Sequence, residues 1–201
     1  MEMKKNWILT VLSCVLVSAA GASLEAAVYQ VDPTHSVVGF SVRHLMITNV
    51  RGEFTDYSAT VNWDPQDPSS FSVEAVIKVS SINTRNERRD NHLRSADFFD
   101  AENHPEMKFT SRRVSRSGEG KLQVTGDLTI RGVTRQVTLD VEGPTPAIKD
   151  PWGNERIGAV ATTTINRTDF GLNWNQALEA GGVVVGEEVT INLELELVKQ
   201  K

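Results

Sequence analysis

Cysteine is almost missing from this chain: one, Cys14, in 201 residues. Aromatic residues are also sparse, at 6%. Positive charge is outweighed, with 21 Lys and Arg against 26 Asp and Glu and a formal net charge of −5. Each shortage removes a class of function. One thiol forms no internal disulfide and no thiolate metal cage. An acidic chain with a pI near 5.4 lacks the basic stripe that holds nucleic acid, so no nucleic-acid partner is expected. Past the N-terminus, no apolar run reaches the roughly 20 residues of a spanning helix. A Gly-rich phosphate loop and a G-x-S-x-G nucleophile elbow are both absent.

The N-terminus, by contrast, carries a recognisable address. Lys4 and Lys5 precede an apolar run from Trp7 to Val17, and small residues follow at Ser18-Ala-Ala-Gly-Ala22. A basic start, a short apolar stretch and an A-x-A site describe a secretory signal peptide over residues 1–22. Reading Val11-Leu-Ser-Cys14 as a lipoprotein signal leaves too few apolar residues before the cysteine and strands others after it. Cleavage after Ala22 removes Cys14 with the leader, so the mature chain, residues 23–201, has no thiol. Its length is enough for one domain to bury a sizeable core without disulfides.

Beyond the leader, period two dominates. Val189, Ile191, Leu193, Leu195 and Leu197 alternate with polar residues, as do Leu122, Val124, Leu128 and Ile130. The same pattern runs through Val133, Val137, Leu139 and Val141, and through Phe71, Val73, Ala75, Ile77 and Val79. Strict alternation marks strands with one buried and one wet face, the antiparallel habit. Further strands are expected at Ser36–His44, Val50–Trp63, Met107–Ser115 and Ile157–Arg167. Arg131-Gly132 suits a two-residue hairpin turn, and Arg116–Gly120 a looser one. The fold class is therefore all-β, with about eight antiparallel strands in one domain. Such strands close into a barrel or pack as two sheets. A barrel of this size is either filled by side chains or holds one small ligand.

One stretch breaks the alternation. Asp90–Asp100, with the following Ala101–Ser111, is charge-dense and contains His92, His104, Phe98 and Phe99. Asn86 can cap a helix over Glu87–Arg94, so a short helical insert is expected near residues 86–100. This insert either plugs a barrel end or builds a site there. As a plug, its phenylalanines fill the core and Arg94 pairs with Asp90 or Asp97. As a site, Phe98 and Phe99 line an apolar pocket, while His92 and Arg94 meet a polar or anionic head group.

Chemistry beyond binding has little support. The four histidines show no His-x-x-x-His or His-x-His pair, so no metal site is expected. No catalytic residue is assigned. The rival reading is a hydrolase or isomerase acting on a lipid or small ester, with His44 or His92 as base. A third is a structural or stress-response module, its barrel filled by its own side chains.

Several segments together resemble the YceI-like family of bacterial periplasmic proteins. They are Val31–Ser36, Phe40–Leu45, Arg51–Phe54, His92–Phe99, Phe109–Ser111, Gly126–Thr134 and Arg167–Gly171, spread from about Tyr29 to Val198. The resemblance implies an extended, lipocalin-like antiparallel barrel. Its elongated cavity is expected to hold a polyisoprenoid, such as an isoprenoid quinone or polyprenyl pyrophosphate, or another long-chain amphiphile. No cofactor is implied beyond this lipid ligand, which the protein would carry or shield in the periplasm. Peripheral contact with a membrane or a membrane enzyme, and a homodimer, are compatible with that role. The residues expected at the ligand are Phe40, Val42, His44, His92, Leu93, Arg94, Phe98, Phe99, Phe109, Leu128 and Ile130.

Overall fold

The computed structural model describes residues 26–67, 70–179 and 181–201. The expected signal peptide, residues 1–22, lies outside them.

Alternating sequence becomes alternating burial. In β8 (Lys121–Ile130), Leu122, Val124, Leu128 and Ile130 are buried, while Lys121 and Gln123 are exposed. Its neighbours β7 (Glu106–Gly118) and β9 (Val133–Glu142) pair with it antiparallel. The β8–β9 turn is Arg131-Gly132, with φ of 49° and 73°. Both central residues need positive φ in a turn whose twist matches the flanking strands, which is why glycine stands at the second. The looser β7–β8 turn closes at Glu119-Gly120.

Twelve strands form one sheet. The remaining ones are β1 (Ala27–Val31), β2 (Val37–His44), β3 (Thr48–Phe54), β4 (Tyr57–Trp63), β5 (Ser72–Lys78), β6 (Ile82–Asn83), β10 (Ile148–Lys149), β11 (Glu155–Asn166) and β12 (Val185–Lys199). Pairing of β11 with β12 closes the ring β11-β9-β8-β7-β5-β4-β1-β12, an eight-stranded antiparallel barrel with extra strands. The extras mostly prolong its staves. Along β12, Val185–Glu194 pairs with β2 and Leu197–Lys199 with β1, so β1 and β2 lie end to end. In the same way β3 pairs with β2 and β4 with β1.

The expected single strand Val50–Trp63 is therefore interrupted. Thr55 and Asp56 bend the chain, and Phe54 before them and Tyr57 after them are both buried. The bend is held by Lys78 N–H donating to the Asp56 carbonyl at 2.9 Å and Thr55 N–H donating to the Ser81 carbonyl at 3.3 Å. The kink switches parity: Phe54 before it and Tyr57 and Val61 after it are all buried, so the inward residues pass from even to odd numbers.

The helical insert forms as expected. Helix α1 spans Glu87–Arg94, and the Asn86 side chain accepts a hydrogen bond from Arg89 N–H at 3.0 Å. Glu87 and Asp90 lie in the first turn and His92 and Arg94 in the last, which suits the helix dipole. Its one buried residue is Asp90, which accepts from the backbone and hydroxyl of buried Thr84. Arg89 donates back to the Thr84 hydroxyl and carbonyl. This lock fastens α1 to β6 at one end of the barrel.

Candidate functional site

The inward faces of the staves enclose an apolar cavity of about 240 Å³. Along β12 its wall runs from Val185 to Leu197, roughly 40 Å of strand contour at about 3.3 Å per residue. Phe71, Pro144 and Leu197 line one end; Leu93, Phe98, Leu172 and Val185 line the other. Polar side chains on the wall are few: the hydroxyls of Tyr57, Ser58 and Thr163, and Arg167. The Tyr57 hydroxyl is already used, donating to the Ser36 carbonyl at 2.7 Å. The interior is therefore not filled by its own side chains.

Two glycines help keep it open. Gly52 lies opposite Phe40 in the β2–β3 ladder, and a Cβ there would meet Phe40 Cζ at 2.5 Å. On Gly126 a Cβ would meet Phe109 Cζ at 2.5 Å and the Thr110 carbonyl oxygen at 2.6 Å. Both rings lie against bare backbone, so the wall accommodates a phenyl group that a β-carbon would push away.

Of the residues expected at a ligand, Phe40, Val42, Leu93, Phe98, Phe99, Phe109, Leu128 and Ile130 line this cavity. His44, His92 and Arg94 do not. Arg94 donates to the Ser80 and Ile82 carbonyls and to Asn91 Oδ1, each at 2.9 Å, so it stitches the insert to the barrel. The suggested Arg94 pairing with Asp90 or Asp97 is not formed: Asp90 is held by Thr84, and Asp97 lies 2.9 Å from His92 Nε2. His92 also sets its ring edge-on to Phe98 and Trp174, at centroid distances of 5.1 and 4.9 Å. His44 ends β2, paired with Val185 and Thr48. Insert and cavity thus meet through apolar side chains, while the insert's charged groups serve its own structure.

Arg167 is what sequence reasoning passed over. It follows β11, whose inward residues Ala159, Ala161, Thr163 and Ile165 line the cavity, and it continues their parity. That parity was the available signal. Its side chain donates to the carbonyls of Gly186 at 2.9 Å, Leu172, and Val185 at 3.4 Å. Only 5% of it is exposed. Burial draws its pKa below the ordinary guanidinium value, against the raising effect of the Glu187 charge. No carboxylate lies within ion-pair distance of it among the described residues.

Outside the barrel wall, Asp32, His35 and Glu196 bring three potential metal donors together. Arg156 already donates to Asp32 at 2.7 Å and Glu196 at 2.5 Å, and to Asp150 at 2.7 Å. This guanidinium supplies the positive charge that the carboxylates require.

Comparison with known proteins agrees with the architecture. The YceI-like domain matches residues 29–197. A UPF0312 protein of Staphylococcus aureus strain MSSA476 is 41% identical over 165 residues, covering 82% of this chain and 94% of that protein. The crystal structure of Burkholderia cenocepacia BcnA superposes with a TM-score of 0.71 at 25% identity, covering 83% of this chain and 98% of that one. The Campylobacter jejuni YceI protein gives a TM-score of 0.65 at 33% identity, covering 79% and 90%. A polyisoprenoid-binding domain from Saccharophagus degradans shares the fold, with a TM-score of 0.63 at 17% identity and coverage of 88% and 100%. The barrel, its insert and the matching sequence agree: this chain belongs to the YceI-like family.

Proposed function

We propose that this protein is a non-catalytic carrier that holds the chain of a polyisoprenoid, or a similar long lipid, inside its barrel. The observation that carries this reading is the long, nearly all-apolar cavity. Moving apolar groups out of water yields about 0.8 kcal/mol per methylene, or about 4 kcal/mol for a five-carbon isoprene unit. A dry channel therefore retains a prenyl tail with few polar contacts. The Saccharophagus degradans domain, described as polyisoprenoid-binding, shares the fold and supports the choice of lipid. The leader-like N-terminus supports a periplasmic location, where a water-rejecting molecule needs such a shield between membranes.

Native mass spectrometry of freshly purified protein, followed by organic extraction and incubation with a C20 prenyl alcohol, tests the proposal. A retained prenyl lipid is the expected result. A clean apo mass with no uptake of the alcohol would refute it. The hydrolase reading predicts instead that His44→Ala or His92→Ala abolishes turnover while leaving uptake intact.

A further inference from the structure

The cavity has one charged residue on its wall among the described residues, Arg167. Its place is specific: the end shared with Leu172, Phe170 and Val185, beneath the insert residues Phe98 and Leu93. A guanidinium stays charged at any ordinary pH. Burying a cation is costly unless an anion or a full set of acceptors compensates it. Three backbone carbonyls take three of its five N–H groups, leaving two donors without an acceptor by count. Those carbonyls carry partial charges, so the net charge of one remains in an apolar chamber.

A purely structural arginine does not need to stand on the cavity wall. Arg131 shows the contrast: it donates to the Gly171 and Ala96 carbonyls at 2.9 Å each from the turn outside the chamber, where water shares its charge. Arg156 shows the other solution, with three carboxylates around it. Arg167 is buried from solvent and has no carboxylate within ion-pair distance among the described residues.

Resting on the proposed lipid-carrier reading, we propose that Arg167 is the head-group subsite of the cavity and selects a prenyl lipid ending in a single oxyanion. One negative charge neutralises one guanidinium, and the two remaining N–H donors suit the two oxygens of a carboxylate or a phosphate monoanion. The tail then runs from Arg167 toward Phe71 and Pro144 at the far end of the cavity.

The test keeps one chain and changes only the head. Wild-type protein is titrated at pH 7 with geranylgeranoic acid, geranylgeraniol and geranylgeranylamine, and affinities are measured by calorimetry. The expected order is acid, then alcohol, then amine, with the acid about tenfold or more tighter than the alcohol, as a charged hydrogen bond implies. In Arg167→Gln the acid and alcohol converge while alcohol binding persists. In Arg167→Lys the preference for acid survives in weakened form, and this variant with the wild-type ranking carries the test if the glutamine variant does not fold. Amine binding equal to acid binding in the wild type overturns the head-group subsite and leaves the lipid barrel standing. Failure of all three probes overturns both.

Discussion

Two arginines frame strand β11, and they are stabilised in opposite ways. Arg156 lies near its start and Arg167 just beyond its end, eleven residues and roughly 35 Å of extended chain apart. An odd separation puts them on opposite faces of the sheet. Arg156 points outward and binds Asp32, Asp150 and Glu196, so the hydrogen bonds it donates to these carboxylates raise its pKa. Arg167 points inward and meets backbone carbonyls, so burial lowers its pKa. The outer arginine closes a network within the fold. The inner one is a charge that the fold leaves to be matched. The difference separates a clamp from a receptor.

The largest expected effect is at the inner end. Phe170 is 1% exposed and packs beside Arg167 in the main core cluster. Phe170→Ala should cost about 3–5 kcal/mol in urea unfolding, because the rim has little freedom to collapse into the gap. A loss below about 1 kcal/mol would mean that the inner end is loosely packed, and the argument from buried charge would weaken with it.

Next comes Gly126→Ala, midway between the two ends. The new β-carbon would lie 2.5 Å from Phe109 Cζ and 2.6 Å from the Thr110 carbonyl oxygen. One contact is with a ring that can swing into the cavity, the other with backbone that cannot. The expected cost is about 1–3 kcal/mol. Adding Phe109→Leu should recover only part of it. Lipid uptake should fall in the single variant and partly return in the double. Unchanged uptake in the single variant would show that the ring never enters the lumen.

At the outer end the signature lies in pH. Hydrogen bonds from Thr34, Arg156 and His35 hold the Asp32 carboxyl below its ordinary value of 3.8. Burial pushes Asp150 up, but bonds from Arg156 and Asn154 outweigh it and leave it low as well. A carboxylate with a depressed folded-state pKa adds stability that is present above its unfolded value and lost as pH falls toward the folded one. Arg156→Gln should therefore lower the thermal midpoint at neutral pH, and the gap from wild type should shrink below pH 3.8. A gap that stays constant in acid would deny the clamp its ionic character.

Most of the fold was legible because it rests on parity. Alternation in β5, β8, β9 and β12 gave the inward faces, Asn86 gave the helix start, and Arg131-Gly132 gave a turn. The bend at Thr55–Asp56 was missed although it shifts the inward residues from even to odd numbers, since the bonds that fix it are made with distant Lys78 and Ser81. At the site, Leu93, Phe98 and Phe99 came from the insert, while the apolar wall residues carried by strands followed from the same alternation. The charged ones did not. His92 and Arg94 stood out for their chemistry and their place in a polar insert, yet their partners are Asp97, Ser80, Ile82 and Asn91. Arg167 was placed at the end of an expected strand and in a family-like segment but not at the ligand, although it continues the inward stripe of its strand. Residue type suggested where chemistry was available, while parity decided which chemistry faced the cavity.

His92 offers the smallest effect and the finest test of the comparison. Its ring packs on Phe98, which lines the cavity, so it sits one side chain away from the chamber without facing it. The pair with Asp97 is open to water, at 39% and 56% side-chain exposure, and such pairs contribute about 0–1 kcal/mol. His92→Ala should thus change stability by no more than about 1 kcal/mol and leave the acid-over-alcohol preference intact. If that preference vanished, the head group would be read at the rim, and Arg167 would join Arg156 as a clamp. If it survives His92→Ala and is lost in Arg167→Gln, recognition lies inside the barrel, at the one charged residue on the cavity wall among the described residues.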